Sequence, residues 1–409
     1  MTGISTITPA TFDSGRSVTL TGEGFGASQG SVLIGGVAQN VNAWSDTSIT
    51  FTSVRGSQSM GACRVDVVTG GGSSTTISDG VPFTLVGTFT AKTTAAPIYY
   101  NNWEGIADGT TAGALGFVTD DGAYHGVIPQ ITSARAYTGT KSLRADFPVG
   151  LNSGFTRTTW GGFSVSEVYC SCNFYWERYV NGTDPGSSLI FKTWRAGKTP
   201  SYSSTPHASW SIRPGYTSGV IGASDKSITQ SDGEINFNGG DGNLNRDQWN
   251  RSEMWLKLST PGVGNGVLGF YSNLVLDETT SSGSSVAAAP HPQTWNALPT
   301  RGSADTGDMI EQVMLPFVGM DNIGTNNAYY VYVDNLYIDS TPIRVEVGNA
   351  PSYASCTERV VAPATAWSTT SITASAPTGR WSDGQTVYAF VIGSDNQPYS
   401  GPFPLTVRY

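Results

Sequence analysis

The chain has 409 residues and a formal net charge of −9, and only 13% of its residues are charged. That share is about half the ~25% of an average soluble protein, and the acidic balance argues against binding to nucleic acids or anionic membranes, which requires a basic surface. No apolar run reaches the roughly 18 residues of a bilayer-spanning helix. At roughly 150 residues per domain, the length allows two or three domains.

Glycine is abundant, with 50 residues, and short bursts of Val, Tyr, Trp and Phe recur between Ser- and Thr-rich stretches. This composition favours many short strands joined by tight turns over helical bundles. Four scattered cysteines, expected as buried thiols, are too few for a disulfide scaffold: Cys63, Cys170, Cys172 and Cys356. The first residues lack the basic and apolar segments of a signal peptide. We therefore expect a protein made and assembled inside a cell, rather than a secreted one whose signal was removed.

The first block, about residues 4–85, alternates apolar and polar residues between Gly- and Asp-rich turns, as small antiparallel sandwiches do. Its strings include GRSVTLTGEGFG (15–26), SVLIGG (31–36) and AWSDTSIT (43–50). These strings resemble the IPT/TIG family of Ig-like domains. The resemblance implies an Ig-like fold that serves as a spacer or adhesion module.

The last block repeats part of the first. AWSTTSIT (366–373) echoes AWSDTSIT, and the alternating strings TVYAFVI (386–392) and FPLTV (403–407) follow it. We therefore predict a second, smaller Ig-like domain. The predicted division of the chain is 1–87, 88–342 and 343–409.

The middle region holds most of the aromatic residues and shows strand-like bursts without a helical repeat. An antiparallel domain of this length fits a double-sheet jelly roll; for DMIEQVML (308–315) we favour a strand over a helix. GTKSLRAD (139–146) and YVDNLYID (332–339) resemble the early and last strands of concanavalin A-like lectin/glucanase domains, which include some polysaccharide lyases and binding modules. The predicted fold class is all-β: an Ig-like sandwich, a concanavalin A-like jelly roll and a small Ig-like sandwich.

Carboxylate pairs for glycoside hydrolysis are absent from the strand-like segments. Glycosidases of this fold need two carboxylates that flank the scissile bond. The nearest pairs, Asp232 with Glu234 and Asp305 with Asp308, fall in Gly-containing stretches that are expected to be solvated turns.

The sequence pattern also lacks the cluster of residues that a polysaccharide lyase needs. Lyases of this fold need Arg, Gln or His, and Tyr or Lys, to neutralise a uronate and move its proton. His125, His207 and His291 stand apart, and none belongs to a Gln-x-His strand pair. We therefore predict no catalytic residue and no enzyme.

A structural calcium site is implied by the resemblance to carbohydrate-binding jelly rolls. Glu104 and Asp334 match the positions of an early Glu and a last-strand Asp that hold Ca²⁺ there together with a backbone carbonyl. Carboxylate and carbonyl oxygens are the ligands that calcium prefers. The alternative is that both side chains only form hydrogen bonds at strand ends.

Three aromatic segments on successive strands supply the groups that glycan recognition needs, namely ring faces and polar side chains. The candidate glycan-binding residues are Trp176, Trp194, Arg195 and Trp210. The alternative is that the tryptophans belong to the core, because Trp is usually largely buried.

Strings of such modules without catalytic clusters resemble bacteriophage virion proteins, namely head decorations, head fibres and tail fibres. We predict a non-enzymatic virion surface protein that assembles in the host cytoplasm with capsid or tail proteins. It is expected to be a homo-oligomer, with a trimer as the first guess, and to adhere to surface polysaccharide in a lectin-like way. The alternative is a secreted, extracellular carbohydrate-binding module or polysaccharide lyase-like protein.

Overall fold

The computed structural model describes residues 3–26, 29–34, 37–54, 65–68, 74, 76–119, 128–149, 154–155, 158–178, 190–198, 206–214, 221–239, 247–273, 275–276, 295–315, 319–321 and 328–409. Nearly all regular structure in these ranges is β-strand, which confirms the predicted all-β class. Short 3₁₀ helices lie at Gly113–Leu115 and Tyr353–Ser355. No helix among the described residues is long and apolar enough to cross a bilayer.

The strands, in chain order, fall into three groups. The first comprises β1 (Gly3–Thr8), β2 (Ser17–Glu23), β3 (Ser31–Ile34), β4 (Val37–Ala38), β5 (Asn40–Trp44), β6 (Ser48–Thr52), β7 (Val65–Val68), β8 (Thr76–Ile77) and β9 (Pro82–Val86). The second comprises β10 (Tyr99–Asn101), β11 (Gln130–Thr132), β12 (Ser142–Phe147), β13 (Gly154–Phe155), β14 (Thr159–Val165), β15 (Glu167–Arg178), β16 (Ile190–Gly197), β17 (His207–Pro214), β18 (Ile221–Gln230), β19 (Gly233–Gly239), β20 (Trp249–Lys257), β21 (Gly266–Ser272), β22 (Val275–Leu276), β23 (Trp295–Leu298), β24 (Ile310–Met314), β25 (Gly319–Asp321) and β26 (Tyr329–Asp339). The third comprises β27 (Arg344–Gly348), β28 (Arg359–Ala362), β29 (Ala364–Trp367), β30 (Ser371–Ser375), β31 (Thr386–Ile392) and β32 (Pro398–Val407).

The chain packs into two compact units, Met1–Pro97 together with Ile343–Tyr409, and Ile98–Pro342. The first unit contains two small sandwiches. One has the sheets β1-β2-β6-β5 and β4-β3-β7. Its core is built by alternation, because Val18 and Leu20 of β2 point inward and pair with Phe51 and Ile49 of β6.

The second sandwich has the sheets β28-β27-β31-β32-β8 and β29-β30-β9. The repeated AWS motif forms the same turn in both sandwiches. The Ser45 hydroxyl donates to the Ser48 carbonyl oxygen at 3.0 Å, and the Ser368 hydroxyl donates to the Ser371 carbonyl oxygen at 3.1 Å. The sequence repeat therefore corresponds to a repeated structure.

Strand β9 pairs with β30 in the register in which β2 pairs with β6. Leu85 lies opposite Ile372 in the second sandwich, as Leu20 lies opposite Ile49 in the first. Strand β8 runs parallel to β32 in the same sandwich. The division at 87 and 342 stays a prediction, but residues 76–86 hydrogen bond with strands from the C-terminal part of the chain.

The second unit is a double-sheet jelly roll. Its larger sheet has the order β11-β12-β26-β15-β20-β21-β22, with β10 beside β26 and β23 beside β21. Its smaller sheet has the order β13-β25-β16-β17-β18-β19, with β24 beside β16 and β14 beside β24. Residues 310–314 form a strand, as expected from their alternation.

The core between the sheets takes the inward-facing side chains of every long strand that is described in full. It includes Phe174 of β15, Met254 of β20 and Val331 of β26. Cys170 and Cys172 both point into it as free thiols, because residues two apart on a strand share a face. Cys356 is also buried and free, and Cys63 lies outside the described residues.

Candidate functional site

The outer face of the larger sheet carries the best-defined cluster of aromatic and charged side chains among the described residues. Alternation along β15 decides which side chains reach this face. Phe174 and Trp176 point into the core. Their neighbours Tyr175 and Glu177 therefore point outward.

Strand register brings residues from four separate segments into one line across this face. This line, which we call the aromatic row, consists of Arg144 on β12, Tyr332 on β26, Tyr175 on β15 and Trp249 on β20. The ring centroids of Tyr175 and Tyr332 lie 6.0 Å apart, and those of Tyr175 and Trp249 lie 5.7 Å apart. Both pairs meet edge to face, the arrangement that the ring quadrupoles favour.

The adjacent line, which we call the charged row, consists of Asp146 on β12, Tyr330 on β26 and Glu177 on β15. An ion pair joins the two rows, because Arg144 Nη2 donates to Asp146 Oδ2 at 2.9 Å. The Arg144 guanidinium carbon also lies 4.8 Å from the centroid of the Tyr330 ring. Arg144 is thereby held in a fixed plane between a carboxylate and an aromatic ring.

Arg135, from the connection between β11 and β12, lies over the aromatic row. Its guanidinium carbon is 3.9 Å from the centroid of the Tyr175 ring. Its Nη2 donates to Glu177 Oε2 at 2.9 Å, while the Tyr332 hydroxyl donates to Glu177 Oε1 at 3.2 Å. Glu177 therefore accepts one hydrogen bond on each oxygen and fixes both donors.

The two inner tyrosines stay protonated near neutral pH. Burial raises the pKa of Tyr332, and the nearby Glu177 charge raises that pKa further. Burial also raises the pKa of Tyr175, although the Arg135 guanidinium opposes this shift. Both phenols consequently act as hydrogen-bond donors rather than as bases.

Solvent reaches the rim of this cluster. Trp249, Tyr330 and Tyr137 are half-buried, and the Tyr137 ring packs against Trp249 at a centroid distance of 5.6 Å. The side chains of Arg135 and Asp146 are 35% and 38% exposed. Ring surfaces next to planar, oriented polar groups can contact the C–H face of a sugar and bond its hydroxyls.

The predicted glycan-binding tryptophans of the first two segments lie in the core. Trp176 is 2% exposed and Trp194 is 0% exposed. The indole N–H of Trp194 donates to Ser252 Oγ at 2.9 Å inside the core. Both rings pack in the core between the two sheets and offer no face to a sugar. We therefore correct the candidate site from these two residues to the outer face of β15, where Glu177 is half-buried and Tyr175, 7% exposed, lies under the Arg135 guanidinium.

The other two predicted residues belong to the smaller sheet. Arg195 is half-buried on β16. Trp210 lies on β17, and its side chain is outside the described residues. Neither residue is on the sheet that carries the aromatic row.

Glu104 and Asp334 bind the two ends of one turn, residues 137–141. Asp334 Oδ2 accepts the backbone N–H groups of Tyr137 and Thr138, at 2.9 and 3.0 Å. Glu104 Oε1 accepts those of Thr140 and Lys141, at 2.7 and 2.8 Å.

The electrostatics at this turn fit a cation. Burial raises the pKa of Asp334 to about 8, even though three backbone N–H groups oppose the shift, and the charge of Glu104 adds to the increase. Two neighbouring carboxylates, one of them fully buried, would be stabilised by a hard cation with oxygen ligands. Among the described residues no three His, Cys, Asp or Glu side chains form a metal-binding group, so further ligands would have to be backbone carbonyl oxygens or water.

Of the carboxylates that were expected in solvated turns, Asp232 lies exposed in a turn, whereas Asp305 is buried. Asp305 is 2% exposed, and its Oδ2 accepts the N–H groups of Ser231 and Gly302. Asp232 accepts the N–H and the hydroxyl of Ser303. Asp232 and Asp305 therefore use their oxygens to hold the loop backbone.

The register of the smaller sheet places two polar residues on either side of a glycine. Gly197 of β16 lies opposite His207 of β17 on one side and Gln312 of β24 on the other. The Gln312 side-chain amide donates to the Lys198 carbonyl oxygen at 2.9 Å. Local sequence patterns do not predict this arrangement, because His207 and Gln312 are far apart along the chain.

Comparisons with known proteins identify the N-terminal domain. Residues 3–85 match the IPT/TIG domain family, which confirms an Ig-like domain at this end of the chain. No curated protein matches the chain.

Several solved structures are similar to the chain at low sequence identity. An endo-β-1,4-glucuronan lyase from the fungus Trichoderma reesei is 11% identical, with a TM-score of 0.37 over 60% of this chain and 96% of its own. The alginate lyase vAL-1 from a Chlorella virus is 14% identical, with a TM-score of 0.36 over 57% and 99%. The binding domain of botulinum neurotoxin serotype C1 is 9% identical, with a TM-score of 0.28 over 70% and 72%.

The prediction that the chain is not an enzyme is wrong in the light of these neighbours, because polysaccharide lyases stand among them. At TM-scores of 0.37 and below, these neighbours do not assign a function to the chain. Any substrate or reaction of this chain has to be argued from its own residues.

Proposed function

We propose that the jelly-roll unit binds a polysaccharide on the outer face of its larger sheet. The observation that carries this proposal is the half-buried rim of Trp249 and Tyr330, which strand register sets beside the buried Tyr175 and Tyr332 and the ion-paired Arg135 and Glu177. The polar groups are already oriented by their contacts. Binding therefore loses little side-chain entropy.

The test removes the rim rings and leaves the buried ones in place. We expect Trp249→Ala combined with Tyr330→Ala to weaken polysaccharide binding by about ten-fold or more, because aromatic anchors carry a large share of binding energy. Affinity electrophoresis against soluble polysaccharides measures this loss. Tyr399→Ala is the matched control, since Tyr399 is an aromatic residue that is 42% exposed in the other unit. Binding that survives the double substitution would refute the proposed site.

A second candidate function is β-elimination of a uronate polymer at the smaller sheet. The observation that favours it is strand register, which sets Gly197 between Gln312 and His207; the side chain of His207 lies outside the described residues. An amide can neutralise the uronate carboxyl group, and an imidazole can accept a proton.

In this reaction the imidazole of His207 would take the C5 proton of the uronate. The C4–O bond then breaks, a C4–C5 double bond forms, and the leaving oxygen takes up a proton from a donor or from water. Incubation with alginate, polygalacturonate or glucuronan should produce the ultraviolet absorbance of the unsaturated uronate, and His207→Ala should abolish that signal. Tyr399→Ala, in the other unit, is the control. Wild-type protein without any such absorbance would refute this second function.

A place on a bacteriophage virion, as a head decoration or fibre, is the wider role we propose for the chain. What supports it is the combination of two Ig-like modules with a glycan-binding domain, a set of parts suited to a surface protein. Capsid or tail proteins would be the partners, a homo-oligomer the working state and the virion surface the location. Immunogold electron microscopy of particles tests it: regular labelling of heads or tails is expected, whereas label confined to the medium or cell envelopes would favour the extracellular alternative.

A further inference from the structure

We infer that the outer face of the larger sheet selects neutral polysaccharides over uronate polymers. This inference rests on the proposed polysaccharide binding and specifies the class of ligand. The inference is based on the observation that Arg135 and Arg144, the two arginines of the site, each already have a carboxylate partner.

The described side chains on this face carry a net negative charge. Two guanidinium groups, those of Arg135 and Arg144, stand against the carboxylates of Glu177 and Asp146 in direct ion pairs. Asp247 adds a third carboxylate, close enough to Tyr175 for its charge to raise the pKa of that phenol. The sum is two positive charges against three negative ones.

The neighbouring charged groups do not reverse this balance. The ion pair between Lys141 and Asp108, beside the turn that precedes β12, adds no net charge. The pair Arg251 and Glu253, further along the same face of β20, is also balanced at 2.7 Å. A uronate carboxylate that approaches this face therefore meets a weakly negative surface.

A uronate would also have to compete for donors that are already engaged. Arg135 Nη2 donates to Glu177, and Arg144 Nη2 donates to Asp146. Recognition of a carboxylate by arginine is strong when the planar fork is free to bind it with two parallel hydrogen bonds. Here one edge of each guanidinium group already faces a carboxylate, so a uronate would have to bind next to a negative charge that is already in place.

A neutral sugar meets no such obstacle. Its hydroxyl groups both donate and accept, so they can bond the remaining guanidinium N–H groups and the remaining carboxylate lone pairs without displacing either partner. The half-buried rings of Trp249 and Tyr330 flank these polar groups and can take the C–H faces of the sugar ring. The arrangement thus suits uncharged hexose polymers.

The experiment compares neutral and acidic probes on the full chain. Affinity electrophoresis is run with laminarin and mannan as neutral probes and with alginate and polygalacturonate as acidic probes, at low and high NaCl. We expect retardation by a neutral probe that salt leaves nearly unchanged, because screening acts only on charge interactions. The Trp249→Ala and Tyr330→Ala double variant should lose this retardation.

A charge variant tests the reason for the selection. Glu177→Gln keeps the side-chain shape and frees Arg135 from its negative partner. The affinity ratio of acidic to neutral probe should then rise about five-fold, the equivalent of about 1 kcal/mol. Asp383→Asn is the control, because it makes the same charge change at a 58% exposed site in the other unit.

The outcomes separate this inference from the function on which it rests. Retardation by acidic probes that exceeds retardation by neutral ones, and that is lost in the double ring variant, would overturn the neutral selection and keep the binding site. An unchanged ratio in Glu177→Gln would overturn the ion-pair explanation. No retardation by any probe would overturn the proposed function itself.

Discussion

Trp194 shows what a single core side chain contributes to the jelly roll. Its ring is fully buried between the two sheets, and its indole N–H is satisfied by Ser252 Oγ from the opposite sheet. Removal of the ring would leave a large cavity and an unpaired hydroxyl in a dry interior.

The first prediction follows from this burial. Trp194→Ala should lower the free energy of unfolding of the jelly roll by about 3–5 kcal/mol, the usual cost of truncating a buried aromatic residue. Urea unfolding followed by circular dichroism measures the change. Trp249→Ala, at the half-buried rim, is the comparison and should cost much less. An equal loss in both variants would contradict the assignment of Trp194 to the core and Trp249 to the surface.

The paired carboxylates at the turn 137–141 also act at the scale of single residues. A side chain at Gly139 would collide with the Glu104 carboxylate, so the glycine lets the turn fold closely around that group. Asp334 is buried on the other side of the turn. A cation here would stabilise the two carboxylates, whose like charges repel each other.

The second prediction is that Ca²⁺ raises the melting temperature of the jelly roll by about 5 °C or more at saturating concentration, and that EDTA reverses the increase. Glu104→Gln should remove this response, because it deletes one of the two charges. Asp108→Asn is the control, since Asp108 pairs with Lys141 and lies outside the proposed cation site. Equal melting curves in calcium and EDTA would refute calcium binding and leave the two side chains as hydrogen-bonding groups.

At the scale of elements, β15 shows which part of the site sequence reasoning can find. The sequence around residues 175–178 is rich in aromatic and charged side chains and predicts a strand, which is β15. The alternation of β15 places Tyr175 and Glu177 on the outer face and Trp176 in the core. Cys172 and Phe174 lie four and two residues before Trp176 and also point into the core. Apolar residues at this spacing are the sequence signal that could have predicted which face of the strand is buried.

The remaining members of the site depend on pairing between distant strands. Arg144, Tyr332 and Trp249 join Tyr175 only through the order β12-β26-β15-β20, in which neighbours in the sheet are far apart in the chain. Arg135 comes from a connection whose path no alternation pattern specifies. Local sequence patterns predict strands and faces, whereas strand order is decided by the packing of the whole sheet.

At the scale of the whole molecule, the strand order shows that one Ig-like sandwich is built from two separated parts of the chain. Strands β8 and β9 precede the jelly roll, while β27–β32 follow it. The two ends of the jelly roll are adjacent, because Tyr99 of β10 pairs with Ile338 of β26. Such neighbouring ends are the condition under which a domain can be inserted into a loop of another domain.

The first sandwich indicates what the second would look like without the insertion. Its equivalent strands β2 and β3 are joined directly by residues 24–30. In the second sandwich, the equivalent connection from β9 to β27 contains the entire jelly roll. The C-terminal residues 343–409 alone would lack β9, and Ile372 of β30 would lose Leu85, its partner in the core.

The third prediction follows from this topology. A chain in which residues 98–342 are replaced by a short Gly/Ser linker should keep both sandwiches folded, because every strand pair of the first unit remains present. Residues 343–409 expressed alone should remain unfolded, since β30 would become an edge strand with an exposed apolar face. Amide dispersion in two-dimensional NMR spectra distinguishes the two results. A well-dispersed spectrum from residues 343–409 alone would show that the second sandwich folds without β8 and β9. That result would contradict the prediction that this sandwich needs strands from both sides of the jelly roll.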